Sequence, residues 1–298
     1  MATIGFIGIG NMGGPMVRNL VQAGHAVKAF DLSEDALNFA VQAGAQAADT
    51  AAEAATAVEF VVTMLPVGAN VRDVYLQGGV LAAASAGAAG TVVIDSSTID
   101  VETSQAVHLA ATDAGLAMLD APVSGGTIGA EAGTLTFMCG GDDATFKKAQ
   151  TILIDMGKNI VHCGGPGMGQ ATKICNNMVV GVAMLALSEA FVMGERLGLD
   201  RQTLFDVLST STADSWALRN MCPAPGPVPT APSARDYQPG FAAALMLKDL
   251  RLAQAAAQMA ETATPLGATA AATFALHVGN GNGALDTSSI IKLIQGKG

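Results

Sequence analysis

The stretch between Thr3 and Asp31 constrains the fold of this chain most. A short apolar run, Thr3–Ile9, leads into Gly8, Gly10 and Gly13; Pro15–Gln22 then has helical spacing, and Ala26–Phe30 reads as a strand ending at Asp31. Strand, glycine turn, helix, strand and carboxylate in that order make a βαβ unit. Each glycine has a separate use. Gly8 permits the tight turn, Gly10 lets the backbone approach a pyrophosphate, and Gly13 lets the helix pack close to the sheet. The backbone N–H groups of Asn11 and Met12 open the helix and would face phosphate charge, aided by the helix dipole. Asp31 follows Gly13 by 18 residues. Its carboxylate is placed to accept both hydroxyls of an adenosine ribose and to repel a 2′-phosphate, which selects NAD over NADP. Two alternatives stay open on these residues alone: a structural glycine turn capped by Asp31, and FAD, which uses the same fingerprint. No second flavin signature accompanies it.

The alternation continues downstream. Leu37–Ala43 reads as helix, Glu59–Met64 and Thr91–Asp95 as strands, Glu102–Ala114 as helix, Ala117–Asp120 and Thr134–Cys139 as strands, and Ala144–Met156 as helix. This predicts a mostly parallel, doubly wound Rossmann sheet covered on both faces. At Gly164–Gly169 the character changes, and no convincing strand follows. Gln170–Leu197 reads as one long helix, with Arg201–Ser209, Phe241–Glu261 and Pro265–Val278 as further helices. The expected organisation is an α/β cofactor domain over 1–163 and an all-α substrate and oligomerisation domain over 164–298. Pro223–Pro232 holds five prolines in ten residues; it reads as a stiff surface loop or, alternatively, a ligand for a proline-binding partner.

Bulk properties narrow the function classes. Half of the 298 residues are hydrophobic and 13% are charged, which excludes a disordered chain. A net charge of −10 offers no basic face to nucleic acid or to an anionic membrane. Apolar stretches such as Met178–Leu187 are read as too short and too interrupted, by glycine and Glu189, to span a bilayer. With no cationic leader, the expectation is a soluble cytoplasmic protein. Cys139, Cys163, Cys175 and Cys222 form no CxxC pair, so neither a zinc site nor a disulfide framework is expected.

Several segments depart from plain scaffold. Leu65–Pro66, with Asn70 beyond, and Asp95–Thr98 end strands, where ligands of such sheets bind; Ser and Thr there are also ordinary caps. In Asp120–Thr127, Ser124 is followed by Gly125 and Gly126, leaving backbone N–H groups free to converge on an anion such as a carboxylate, unless this is simply another flexible turn. Lys173 and Asn177 share one face of the long helix, with Asn176 beside them. The bland alternative is a snorkelling lysine with capping asparagines. Lys248 and Asp249 interrupt an apolar helix, and by composition alone they read as a solvated pair. Trp216 reads either as core or as part of a substrate pocket.

Together these segments resemble the 3-hydroxyisobutyrate dehydrogenase family of β-hydroxyacid dehydrogenases across essentially the whole chain. Phe6–Met16 with Asn19, Asp120–Thr127, Gly167–Asn177 and Lys248–Asp249 look like that family's four characteristic blocks, in the same order. The resemblance implies Lys173 as catalytic lysine and Asn177 as its orienting and substrate-binding partner. It implies carboxylate contacts from Ser124, Gly125 and Gly126, cofactor contacts from Leu65, Pro66, Asn70 and Thr98, a Lys248 that closes over the cofactor, and a supporting Asp249. Asp31 fits the NAD-preferring members. The implied reaction moves a hydride from the alcohol carbon to NAD while Lys173 takes the hydroxyl proton; burial and the nicotinamide charge would favour its neutral form. No metal is required. The expected substrate is 3-hydroxyisobutyrate, oxidised to methylmalonate semialdehyde as in valine breakdown. L-Serine and tartronate semialdehyde are the family alternatives, and a non-catalytic dinucleotide-binding module is the alternative of another class. The family pattern implies a homodimer or homotetramer.

Overall fold

The computed structural model describes residues 1–296, so the last two positions of the expected 164–298 domain lie outside the described residues. The chain divides into two compact units, Met1–Lys173 and Ile174–Gly298. Among the described residues of the first unit, nine strands form one sheet: β1 (Thr3–Ile7), β2 (Ala26–Phe30), β3 (Gln46–Ala47), β4 (Phe60–Thr63), β5 (Val92–Asp95), β6 (Ala117–Asp120), β7 (Val123–Ser124), β8 (Leu135–Gly140) and β9 (Gly157–Gly164). Their order is β3-β2-β1-β4-β5-β6-β8-β7, with β9 also paired to β8. All pairs from β3 to β6 are parallel, and β8 runs antiparallel to β6 and β7.

Strand alternation explains why the sheet is covered on both sides. Ile4, Phe6, Phe60, Val62, Val92, Ile94 and Leu119 enter one core cluster, joined by Met16, Val17 and Leu20 of the Gly13–Gln22 helix. Their in-between neighbours Ile7, Val61, Val93 and Met118 enter a second cluster, with Val107 and Ala111 of the Val101–Asp113 helix. Period-two strands buried on both faces must be apolar at every position, as FVVT and VVID nearly are. From β1 the chain winds one way to β2 and β3, and later the other way through β4, β5 and β6. The crevice beyond the carboxyl ends of β1 and β4 is therefore the topological switch point, where such sheets take ligands.

Polar caps set where several helices begin. Ser33 accepts from the Ala36 N–H, so that helix starts at Glu34, three residues before the sequence expectation. Asp100 and Asp142 cap the Val101–Asp113 and Asp143–Leu153 helices in the same way. The strand β9 was not expected. Half of its residues are exposed and only Gly157 is buried, so it presents no apolar face, and it is held by pairing with β8.

In the second unit, helices Arg201–Thr210, Trp216–Met221, Ala243–Met259 and Pro265–His277 accompany most of the long helix Met168–Arg196. Their core gathers Met184, Leu187, Phe191, Met246, Leu250 and Phe274. The long helix corrects the expectation that this stretch is too short to cross a membrane. It runs 29 residues unbroken and reaches a mean hydropathy of 1.6, enough by length and composition. Half of its most apolar window is buried inside the protein, and the residues just named show why. The apolarity of this helix serves a protein core.

Candidate active site

The glycine turn sits at the switch point. Gly8 has a φ of +92°, and a Cβ there would lie 2.4 Å from the Met64 carbonyl oxygen that follows β4. A Cβ on Gly13 would lie 2.0 Å from the Gly8 carbonyl, so the helix approaches the turn as closely as backbone allows. A Cβ on Gly10 would meet nothing within 4 Å. Gly10 therefore fills no packing need of the protein and borders open space. Asp31 braces the turn: its Oδ2 accepts from the Ile9 N–H at 2.6 Å and its Oδ1 from the Ser33 N–H at 2.8 Å. The sequence reading has this carboxylate facing ribose; in the structure it ties the first turn to the end of β2.

A buried polar chain underlies the next two strand ends. The Tyr75 hydroxyl lies 2.8 Å from Thr63 Oγ1, and Thr63 donates to Asp95 Oδ1 at 2.7 Å. Because Thr63 spends its hydrogen on Asp95, Tyr75 is the donor to Thr63. Asp95 Oδ1 also accepts from the Ser97 hydroxyl and N–H, and Ser97 Oγ in turn accepts from the Leu65 N–H at 2.8 Å. Leu65, Pro66 and Thr98 thus belong to loops tied to one carboxyl, and Asn70 stands in the short Gly68–Arg72 helix that follows the first of them. Burial pushes Asp95 up to about 6 from 3.8, against hydrogen bonds from Ser97 and Thr63 that lower it. Burial, then the Asp95 charge, raises Tyr75 well above its usual range. A folded-state value above the unfolded one means that the native protein binds this proton more tightly. Stability from this group is therefore complete below pH 4 and is lost as pH rises toward 6. The unfolding free energy of wild type minus that of Asp95→Asn should fall by about 3 kcal/mol between pH 3 and pH 7. A difference that stays flat across parallel urea titrations would exclude this.

Asp120, fully buried at the end of β6, performs a different task. It accepts from His108 Nε2 at 3.0 Å, from the Gly167 N–H at 2.8 Å and from the Gln170 N–H at 2.8 Å. The last two are donors at the start of the long helix, so the carboxylate caps that helix from the sheet. Gly169 makes the approach possible, since a Cβ there would lie 2.3 Å from the Met138 carbonyl and 2.7 Å from Asp120 Oδ2. Gln170 adds a second tie: its Oε1 accepts from the Ile99 N–H at 3.1 Å, and its Nε2 donates to the Ser97 carbonyl at 2.7 Å. Lys173 stands one turn further on and is 7% exposed. Asp120→Ala would strand three buried donors and is expected to cost about 4 kcal/mol in urea unfolding; a loss under 1 kcal/mol would contradict the capping role. Beside this, Ser124 ends β7 half-buried, and Gly125 and Gly126 have φ values of +134° and +61°. That backbone turn is open to glycine almost alone.

In the second unit, Asn177 and Asp249 meet. Asn177 Nδ2 donates to Asp249 Oδ2 at 2.5 Å, and its Oδ1 accepts from Asn176 Nδ2 at 2.9 Å. Lys248 Nζ lies 3.3 Å from Asp249 Oδ1. Asp249 is 2% exposed, which corrects the solvated-pair reading: composition showed its charge but not the amide that comes to it from 72 residues away. Trp216 is 60% exposed, so its core reading falls and its pocket reading is left. Tyr75, Thr63, His108 and Gln170 were not singled out by the sequence as site-supporting residues, and Asp95 and Ser97 were singled out only as part of a strand end, not for the buried bonds they make. The available signal was a pair of apolar strands, VVID and AMLD, each closing on aspartate in register. Among the described residues, no group of three His, Cys, Asp or Glu side chains is placed to hold a metal.

Comparison with known proteins bears on this arrangement over its full length. Residues 3–165 match the family of the NAD binding domain of 6-phosphogluconate dehydrogenase, and residues 167–294 match that of the NAD-binding region of NADP-dependent 3-hydroxyisobutyrate dehydrogenase. The chain is 46% identical over 299 residues to 3-hydroxyisobutyrate dehydrogenase of Pseudomonas aeruginosa, covering 100% of both. It is 44% identical over 293 residues to the NAD-dependent L-serine dehydrogenase of the same organism, covering 98% of each. Among solved structures, 3-hydroxyisobutyrate dehydrogenase of Mycobacterium tuberculosis with L-serine matches at 46% identity and a TM-score of 0.93, covering 99% of each chain.

Proposed function

The chain belongs to the 3-hydroxyisobutyrate dehydrogenase family, and we propose that it oxidises 3-hydroxyisobutyrate to methylmalonate semialdehyde with NAD. It is an oxidoreductase with a dinucleotide-binding domain, and the observation that carries the finer reading is a buried Lys173 on a helix capped directly by the sheet's carboxyl edge. Gly8, Gly10, Asn11, Met12 and Gly13 are assigned to the pyrophosphate, Asp31 to the ribose, and Leu65, Pro66, Asn70, Thr98 and Lys248 to further cofactor contacts. Bound NAD supplies the hydride acceptor. Lys173, as the neutral amine, takes the alcohol proton and returns it to the carbonyl oxygen in the reverse direction. Ser124, Gly125 and Gly126 hold the substrate carboxylate, and Trp216 contributes to substrate fit. Asn177 orients the substrate, with its own amide fixed by Asn176 and Asp249. The cofactor assignment covers residues 1–163 and the substrate and oligomerisation assignment 164–298. A cytoplasmic homodimer or homotetramer completes the proposal, with light scattering as the measure of subunit number.

The preference for NAD rests on the ribose role given to Asp31, and two backbone amides holding its carboxylate at the carboxyl end of β2 support that reading. L-Serine is the second reading, favoured by the 44% identity to an L-serine dehydrogenase. Initial rates on 3-hydroxyisobutyrate, L-serine and, in the reducing direction, tartronate semialdehyde, each with both cofactors, decide among them. A kcat/KM for L-serine well above that for 3-hydroxyisobutyrate replaces the substrate assignment; a preference for NADP removes the role given to Asp31.

A further inference from the structure

Gln170 lies fully buried three residues before Lys173 on the long helix. Leucine or methionine would fill a core position there without any hydrogen-bonding requirement. This side chain instead places both ends of its amide on one backbone segment, accepting from the Ile99 N–H and donating to the Ser97 carbonyl. Two bonds to a short stretch of backbone fix the helix in rotation as well as in translation, which a single cap does not do. The cap is already present, since Asp120 holds the Gly167 and Gln170 N–H groups. The Gln170 amide is thus surplus to keeping the helix end satisfied. What it adds is registry. Ser97 also binds the Leu65 N–H through its hydroxyl, so the loops after β4 and β5 and the first turn of the lysine helix share one reference point.

We propose that Gln170 is a positioning residue, setting where the Lys173 amine stands relative to the loops that carry Leu65 and Thr98. The proposal rests on the acid/base reading of Lys173. Over three residues a helix advances about 4.5 Å, so a rotation or slide at Gln170 passes to Lys173 almost undiminished. Hydride and proton transfer both need near-contact alignment, and a misplacement of about 1 Å costs on the order of a hundredfold in rate.

The test is Gln170→Met, which keeps the volume and removes both bonds. The expected result is a kcat lowered about 10–100-fold, with KM for acid and for NAD changed less than about threefold. The primary isotope effect on kcat, read with acid deuterated at the carbinol carbon, should rise as hydride transfer becomes limiting. Gln170→Asn, too short to reach both groups, gives the same readout if the methionine variant does not fold. An unchanged isotope effect and kcat in folded enzyme overturns the proposal. So does a lowered Tm with undiminished kcat per folded molecule, which marks a merely structural role. A wild type inert toward every 3-hydroxy acid with either cofactor overturns the functional reading itself, and the role of Gln170 with it; loss of the Gln170 role alone leaves the wild type active.

Discussion

Lys173→Ala is expected to lower kcat for the preferred 3-hydroxy acid by about three orders of magnitude, within the range a positioned acid/base group supplies. Binding of NADH, followed by fluorescence, should change little, because Asp31 braces the glycine turn through the Ile9 and Ser33 N–H groups. The start of the helix should stay in place as well. Asp120 and Gln170 anchor it through backbone and amide groups that the substitution does not touch. Lys173→Met is the companion variant, since it retains most of the buried stem while deleting the amine. Equal loss in both variants, with Tm held within a few degrees, separates missing chemistry from a cavity. Turnover that survives in both would remove Lys173 from the mechanism and leave the acid/base role to another group.

Much of the cofactor half of this arrangement was legible in the sequence, because its signals are local. Glycine spacing, a strand on either side and a closing carboxylate fall within 31 residues, and Ala26–Phe30 and Ala117–Asp120 are strands with the bounds expected of them. Strand β9 was illegible because edge pairing with β8, not an apolar face, holds it. The residues at the site show the same divide. Lys173, Asn176 and Asn177 stand out as polar groups on an apolar helix, and helical periodicity alone puts them side by side. What fixes them comes from far away: Asp120 reaches Gln170 across 50 residues, Gln170 reaches Ile99 across 71, and Asn177 reaches Asp249 across 72. No periodicity encodes such pairs: the first two exist only once the sheet order brings the β5 and β6 ends under the helix start, and the third only once the Ala243–Met259 helix packs beside the long helix. Asp95 is the clearest case. At the end of VVID it reads as part of a ligand-facing strand end or an ordinary cap, yet it is a fully buried carboxyl with three donors on one oxygen.

The glycine turn allows binding and folding to be separated by single methyl groups. Gly13→Ala would drive a Cβ to 2.0 Å from the Gly8 carbonyl oxygen, a backbone atom that yields only if helix and turn move apart. A cost of about 3 kcal/mol is expected, seen as a Tm lower by roughly 6–10 °C, with weaker cofactor binding as a consequence of the displaced turn. Gly10→Ala adds the same methyl where it meets nothing within 4 Å. Its Tm should stay within about 2 °C of wild type, because an exposed glycine outside any regular element gives up little packing when replaced. Cofactor affinity should nonetheless fall by about tenfold or more, roughly 1.4 kcal/mol, as the methyl occupies the path of the pyrophosphate. Calorimetry of both variants with and without NAD reads the two quantities together. If Gly10→Ala binds NAD as wild type does, the open space beside Gly10 is not the pyrophosphate site. If it unfolds as early as Gly13→Ala, that glycine serves the fold and its openness has been misread.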